Sequence, residues 1–515
     1  MELIDQHTKN IMEGCKVRAR AAGLRFQDET LEYIVTNRDL LEISPKLMIP
    51  TLYDYWVHDV EVLREKGRYE LYPDNPYETV INTRPAISFY NDNNPDWLNV
   101  MIFYHVLAHI DFFQNNLFFR HTWEYDFTGQ ALADKRVIAR LRSEKGRWVD
   151  YVIEFARGID NLVGYHGELS QFNRPQTPDR SRRRDFYFDV FLQSVENVKI
   201  NEYIKEIERY NKTLRKKDLI QFLMEHSEFL NKEKNNWMKT VMQVVRNTSL
   251  FFQPQIRTKI MNEGWASFWH ETLFLQDERI QGHEVEFARV NSRVTALPRV
   301  GLNPYALGMR LFYYIEEMAE KGKLAYEFQR LADANQREKY DASTGKGREF
   351  IFKVRENFCD SMFVHTFLDQ DFMTHCNLFV AGKRLNTQRM VWEYFVKSRK
   401  AQDFRRMIED SLYHPPQIEV DPEKSIDHHL YLVHRFEGKP LVKEFIANTM
   451  MGIEYLWGGP VQLETSEVVS VSPDQTPGAF ADFTKMQPDR QKEPEIEWQR
   501  VVYTMKDRQL SREVI

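Results

Sequence analysis

Two short stretches of this chain hold the residues best suited to chemistry: His105-Val106-Leu107-Ala108-His109 and Asn262-Glu263-Gly264-Trp265-Ala266-Ser267-Phe268-Trp269-His270. Residues four apart on a helix share a face, so His105 and His109 can turn two imidazoles toward one point. The His-Glu-x-x-His zinc helices use the same spacing, but here Val106 stands where those enzymes place their general-base Glu. Glu263 and His270 lie seven apart, two helical turns along one face, with the small Ala266 and Ser267 between them. Small side chains there let a second helix come close enough to share a ligand.

Two histidines from one helix and a glutamate from a later one form a ligand set for zinc or another divalent metal. In that reading His105, His109 and Glu263 hold the ion, and Glu263 and His270 are the catalytic candidates. His270 then stands behind the ligands or against the transition state. A general base must come from elsewhere, with Glu154 and Glu284 the candidates to fold into place. The same residues admit a second reading, a buried hydrogen-bonded network that fixes helix packing without turnover. Either way the four polar groups are expected to converge, because burying them unpaired costs roughly several kcal/mol.

The elements that must position these residues are mainly helical. Apolar periodicity predicts helices over 2–22, 28–42, 98–119, 147–171, 196–211, 217–231, 233–250, 258–281, 283–297, 304–322, 348–358 and 385–410. Residues 77–89 are β-branched but interrupted by Pro85, which leaves them open between strand and loop. Residues 363–380 are equally open. From His414-Pro415-Pro416 the pattern switches to alternation, predicting strands at 417–420 and 429–436, a helix at 439–457 and a strand at 461–464. Beyond Ser466 the Pro, Gln, Asp and Ser content predicts a flexible, disordered tail. Its one apolar patch, Trp498–Met505, suits a short helix or a docking segment. The expected fold is therefore mainly α: a large multi-helix body over 1–410, a small C-terminal α+β (ββαβ) module over 411–465, and a flexible tail over 466–515.

Composition narrows the function classes. The chain has 515 residues, with 76 acidic against 70 basic side chains and a net charge of −6, which argues against a general nucleic-acid binder. No run approaches the length of a membrane span, and the first residues have neither the basic flank nor the apolar core of a signal peptide. Cys15, Cys359 and Cys376 are few and far apart, fitting a reducing cytoplasm and arguing against a Cys-based zinc site. Arg180-Ser181-Arg182-Arg183-Arg184 reads as a solvated linker, and Asp341–Gly347 as a surface turn.

Three segments together resemble the stage V sporulation protein R (SpoVR) family. They are Phe252-x-Pro254-Gln255-x-x-Thr258-x-x-Met261-Asn262-Glu263-Gly264-Trp265-Ala266-x-x-Trp269-His270, then Asn303-Pro304-Tyr305-Ala306-Leu307-Gly308, and His109-x-x-Phe112-Phe113-x-Asn115-Asn116. The resemblance runs from about Asp54 to Thr465. It implies a cytoplasmic bacterial protein tied to spore cortex formation or a related stress or stationary-phase pathway. It also implies partnership with a PrkA-type serine kinase and a von Willebrand A-like protein, and attaches no particular reaction. Two departures mark this chain as divergent. Family members commonly carry a His beside the tryptophan matched by Trp56, where this chain has Tyr55. They also carry one within the segment matched by Ala288–Val294, where it has Arg289, Asn291 and Arg293.

Overall fold

The computed structural model describes residues 2–27, 29–36, 78–124, 127–163, 218–386, 391–412, 415–426, 428–436, 439–468 and 498–515. The expected helix at 196–211, the basic run at 180–184 and the Tyr55-Trp56 pair lie outside them. Most described residues are helical, with sheet gathered toward the C-terminal end. They divide into two compact units, one drawn from residues up to 135 and from 250–412, the other from 136–163, 218–249 and 415–515.

The first unit is a set of packed helices with a small sheet on its N-terminal part. Strands β1 (Glu2–Leu3), β2 (Thr30–Val35), β3 (Glu78–Ile81) and β4 (Ala86–Asn91) form a sheet in the order β1-β2-β4-β3. The helix expected over 28–42 is corrected here to strand β2 across its described part. Tyr33, Ile34 and Val35 favour a pleated surface, and parallel pairing with β4 from Thr30↔Ala86 to Val35↔Asn91 outweighs local helical period. Helix α1 (Gln6–Ala21) starts at Asp5, whose side chain accepts from Thr8 N.

Behind the sheet runs α2 (Asp96–Asn115), in which every residue from Asn99 to Phe113 is buried. Helix α3 (Lys259–Phe274) crosses it, followed by α4 (Glu284–Val294), α5 (Pro304–Glu320) and α6 (Gly347–Asn357). Trp265 and Trp269 are fully buried in the common core, packed edge-on with ring centroids 5.6 Å apart. A buried Trp removes about 150–250 Å² from water, roughly 4–6 kcal/mol at about 25 cal/mol/Å². Polar groups inside this core are paired across helices. Asp111 of α2 accepts from Trp265 Nε1 at 2.9 Å and from Arg25 N at 2.7 Å, and lies 3.2 Å from Arg355 Nε of α6. Removing one partner of such a fully buried pair strands the other charge.

Helix α3 ends at Phe274 rather than near 281. A short 3-10 turn at Glu278–Ile280 follows, begun by Asp277, whose side chain accepts from Arg279 N. Ala266 and Ser267, the small residues expected to admit a neighbouring helix, are fully buried, and Gly264 on the same helix meets the Gly308 backbone of α5 directly. The helix expected over 385–410 is corrected to an antiparallel pair, β5 (Val380–Asn386) and β6 (Val391–Ser398), followed by a helix over Ala401–Ser411. The Val391-Trp392-Glu393-Tyr394-Phe395-Val396 run, rich in β-branched and aromatic residues, suits a strand better than a helix. Residues 363–380, left open by sequence, are mainly two short helices, Asp360–Phe367 and Gln370–His375.

The second unit is built around a five-stranded sheet in the order β11-β10-β9-β8-β7. Its strands are β7 (Gln417–Val420), β8 (Leu430–Arg435), β9 (Val461–Val468), β10 (Trp498–Lys506) and β11 (Gln509–Val514). Helix α7 (Lys443–Trp457) lies between β8 and β9 in sequence, and its Tyr455 stacks on Trp148 of the helix Trp148–Arg157. The tail expected to be flexible is corrected over 498–514, where the chain returns as β10 and β11; residues 469–497 lie outside the described set. Antiparallel pairing from Trp498↔Val468 to Met505↔Val461 buries Val501, Val502, Tyr503 and Met505. Buried Glu464 and Glu467 of β9 meet Arg500 and Arg512 from the returning strands. The turn between them, Asp507-Arg508, has both φ angles positive, as a two-residue type I′ hairpin requires.

Candidate metal centre

A helix buried around its whole circumference has no solvent-facing side for polar residues, so each must find a partner inside. Helix α2 carries His105 and His109 at 2 % and 5 % exposure. Helix α3 supplies the partners, and its start is fixed by Asp360. The Asp360 carboxylate accepts from Ile260 N at 2.8 Å and from Met261 N at 2.9 Å, capping the first turn of the helix. Burial pushes this carboxyl up to about 7, against the pull of those two backbone bonds.

The structure brings His105, His109, Glu263 and His270 together. One ligand-type atom from each of His105, His109 and Glu263 lies within 4.8 Å of the other two. Glu263 Oε2 is 3.6 Å from His109 Nε2 and, although buried, accepts no hydrogen bond among the described residues. His270 meets His105 through their Nδ1 atoms at 2.8 Å, and His109 Nδ1 faces Asn262 Oδ1 at 2.9 Å. Tyr305 stacks at 6.2 Å on the His105 ring, and Phe113 at 6.0 Å on the His109 ring.

The electrostatics keep His105 and His270 neutral. Burial first, then the neighbouring His109, hold His105 well below the ordinary histidine range. Burial and His105 push His270 down to about 3. A neutral imidazole has one lone pair to offer an ion, whereas an imidazolium has none. A buried carboxylate oxygen with no donor among the described residues, beside two imidazoles of which His105 is held neutral, is a constellation that a divalent cation would satisfy.

Several residues of the site were not singled out by sequence. His270 Nε2 lies 2.8 Å from Asn291 Oδ1 on α4, and Asn291 Nδ2 donates to Glu271 Oε2 at 2.6 Å. Tyr313 of α5 donates to the other Glu271 oxygen at 3.1 Å. Asn291 lies in the segment where the family resemblance implies a histidine, which was the one available signal. Glu271, Asn291, Phe287 and Arg310 line a cleft of about 470 Å³. Glu284, a base candidate, lines the same cleft and accepts from Gly282 N at 3.0 Å. The other candidate, Glu154, belongs to the second unit. Asn116, further along α2, is structural: its amide donates to the carbonyls of Arg355 and Phe358.

The family model described as SpoVR like protein matches residues 2–414. A curated relative from Escherichia coli (strain K12), described as "Uncharacterized protein YcgB", is 25% identical over 378 residues, covering 67% of this chain and 69% of its own. No solved structure gives a significant match.

Proposed function

Since the chain belongs to the SpoVR-like family and its core gathers two imidazoles with a carboxylate, we propose that it is a metal-dependent protein of that family. His105, His109 and Glu263 are the ligands. The observation that carries this reading is the buried Glu263 Oε2, which has no hydrogen-bond donor among the described residues and faces His109 Nε2 at 3.6 Å. Two histidines and one glutamate are a ligand set of catalytic zinc, with room for a further ligand. A divalent ion held there would supply Lewis-acid polarisation of a substrate oxygen. His109 is held by Asn262 and His105 by His270, so His270 acts as a positioning residue. The reaction class this favours is hydrolysis, and peptides or cell-wall precursors suit the cortex association that the family resemblance implies. A cytoplasmic location belongs to the same reading.

One observation favours a second reading. Val106 is fully buried at the place where the His-Glu-x-x-His helices carry their base. In that case the same centre is a structural element of a non-catalytic assembly or regulatory protein, working with a PrkA-type kinase and a von Willebrand A-like protein.

Elemental analysis of protein purified without an affinity tag tests the metal. Wild type is expected to retain stoichiometric zinc or another divalent ion, and Glu263→Gln and His109→Ala to lose it while keeping their circular dichroism. A wild type that carries no metal and shows no saturable binding of Zn²⁺, Mn²⁺ or Fe²⁺ would overturn the proposal. Turnover of peptide or cell-wall fragments by the loaded protein separates the first reading from the second.

A further inference from the structure

The polarity of the hydrogen bonds behind His105 is readable from their far end. A carboxylate only accepts, and Glu271 takes the Tyr313 hydroxyl on one oxygen and the Asn291 amide on the other. Asn291 must therefore turn Nδ2 to Glu271 and Oδ1 to His270, because the flipped amide would set oxygen against oxygen at 2.6 Å. His270 Nε2, facing that Oδ1 at 2.8 Å, then carries a proton. In a neutral imidazole the other nitrogen holds the lone pair, so His270 Nδ1 accepts and His105 Nδ1 donates across their 2.8 Å contact. With its proton spent on Nδ1, His105 has an unprotonated Nε2 as the nitrogen it can offer to an ion.

We propose that Glu271, Asn291 and His270 form a relay of fixed polarity that locks His105 in the tautomer able to bind a cation. The inference rests on the metal reading above and deepens it. All three are positioning residues. The Glu271 charge sets the direction, Asn291 passes it on without ambiguity, and His270 converts it into the protonation pattern of the ligand. A bland packing network needs only that each bond be made. This one has a single direction because one end cannot donate. Among the described residues His109 has no such anchored relay: its Nδ1 faces Asn262 Oδ1 at 2.9 Å, and its Nε2 lies toward Glu263.

The test uses the full-length, metal-free protein labelled with ¹⁵N-histidine, since two-bond ¹H–¹⁵N correlations distinguish Nδ1–H from Nε2–H imidazoles. His105 is expected as the Nδ1–H form and His270 as the Nε2–H form, assigned by their loss in single His→Gln variants. Glu271→Gln replaces an obligate acceptor with an amide that can also donate, which lets the chain reverse. It is expected to give mixed tautomers at His105 and to weaken Zn²⁺ binding by about 10–100-fold, with His109 unchanged. If Glu271→Gln fails to fold, Asn291→Leu cuts the next link and reads the same two quantities. An Nε2–H His105 in wild type, or an unchanged tautomer and affinity in the variant, overturns the relay. Failure of the metal reading looks different: wild type would show no saturable Zn²⁺ binding, and the tautomer spectra alone would then decide the relay.

Discussion

Gly264 and Gly308 bring the backbones of α3 and α5 into contact. A methyl group on Gly264 would lie 2.4 Å from the Gly308 Cα, and one on Gly308 would lie 2.0 Å from the Ile260 carbonyl oxygen. Neither obstacle is a side chain that could swing aside. The proposed ligand Glu263 is the residue next to this contact, so the crossing that packs the core also sets where the carboxylate sits.

Gly264→Ala therefore pits two effects against each other. Alanine gains about 1 kcal/mol of helix propensity, while overpacking a core typically costs about 1–3 kcal/mol and more where backbone must move. The contact is expected to win, lowering the urea midpoint and weakening metal binding together. An unchanged or raised midpoint would show that the helices are not in contact there.

Asp360 holds the first turn of α3 from a separate helix. Asp360→Ala leaves two buried N–H groups without acceptors, at about 1–3 kcal/mol for each. Asp360→Asn keeps one acceptor oxygen and is expected to cost less. Denaturant titration of both variants checks the order, and equal stability of alanine and asparagine would contradict it.

Acid stability should depend on Asp277. Burial opposes its charge, but the Arg279 guanidinium, with Tyr104 and the Arg279 amide, holds it down to about 2. Arg18 and Cys15 are the other ionisable groups of this cluster. A carboxyl depressed below its unfolded value of about 3.9 adds stability above that pH, lost as pH falls through the folded value. Stability is thus expected to drop between about pH 4 and pH 2. In Arg279→Met, stability near neutral pH should be lower and this acid limb shallower. Parallel curves for the two proteins across that window would contradict the pairing.

The Asp507-Arg508 turn places two non-glycine residues at positive φ, 50° and 61°. Asn-Gly suits this turn better, so Asp507→Asn with Arg508→Gly is expected to raise stability by about 0.5–2 kcal/mol. Deleting 498–515 should do the reverse, stripping Glu464 and Glu467 of their arginines and baring the β9 edge to aggregation. A soluble truncated protein with an unchanged melting temperature would refute the role given to these strands.

What the sequence disclosed follows the range of the signal. His105 with His109, and Glu263 with His270, were legible because helical spacing is local and places both pairs on faces without help from the rest of the fold. Asn291 and Tyr313 were not, since their part depends on how α4 and α5 dock against α3. Strand β2 was misread as helix because its pairing partner β4 is more than fifty residues away. The strands at 498–514 were hidden by the polar stretch before them, and Asp-Arg is not a recognisable hairpin turn. Gly264 was visible as a small residue, but the side of α3 that needed it was not.

His109 and Asn262 are 153 residues apart in the chain. During synthesis, both histidines are therefore made well before the glutamate that completes the set exists. Until then they can offer only a two-nitrogen site, without the negative charge that favours a divalent ion. On the metal reading, loading of the full centre has to wait until α3 has been translated and seated against α2, which would make metal acquisition a late checkpoint on correct assembly rather than a seed for it.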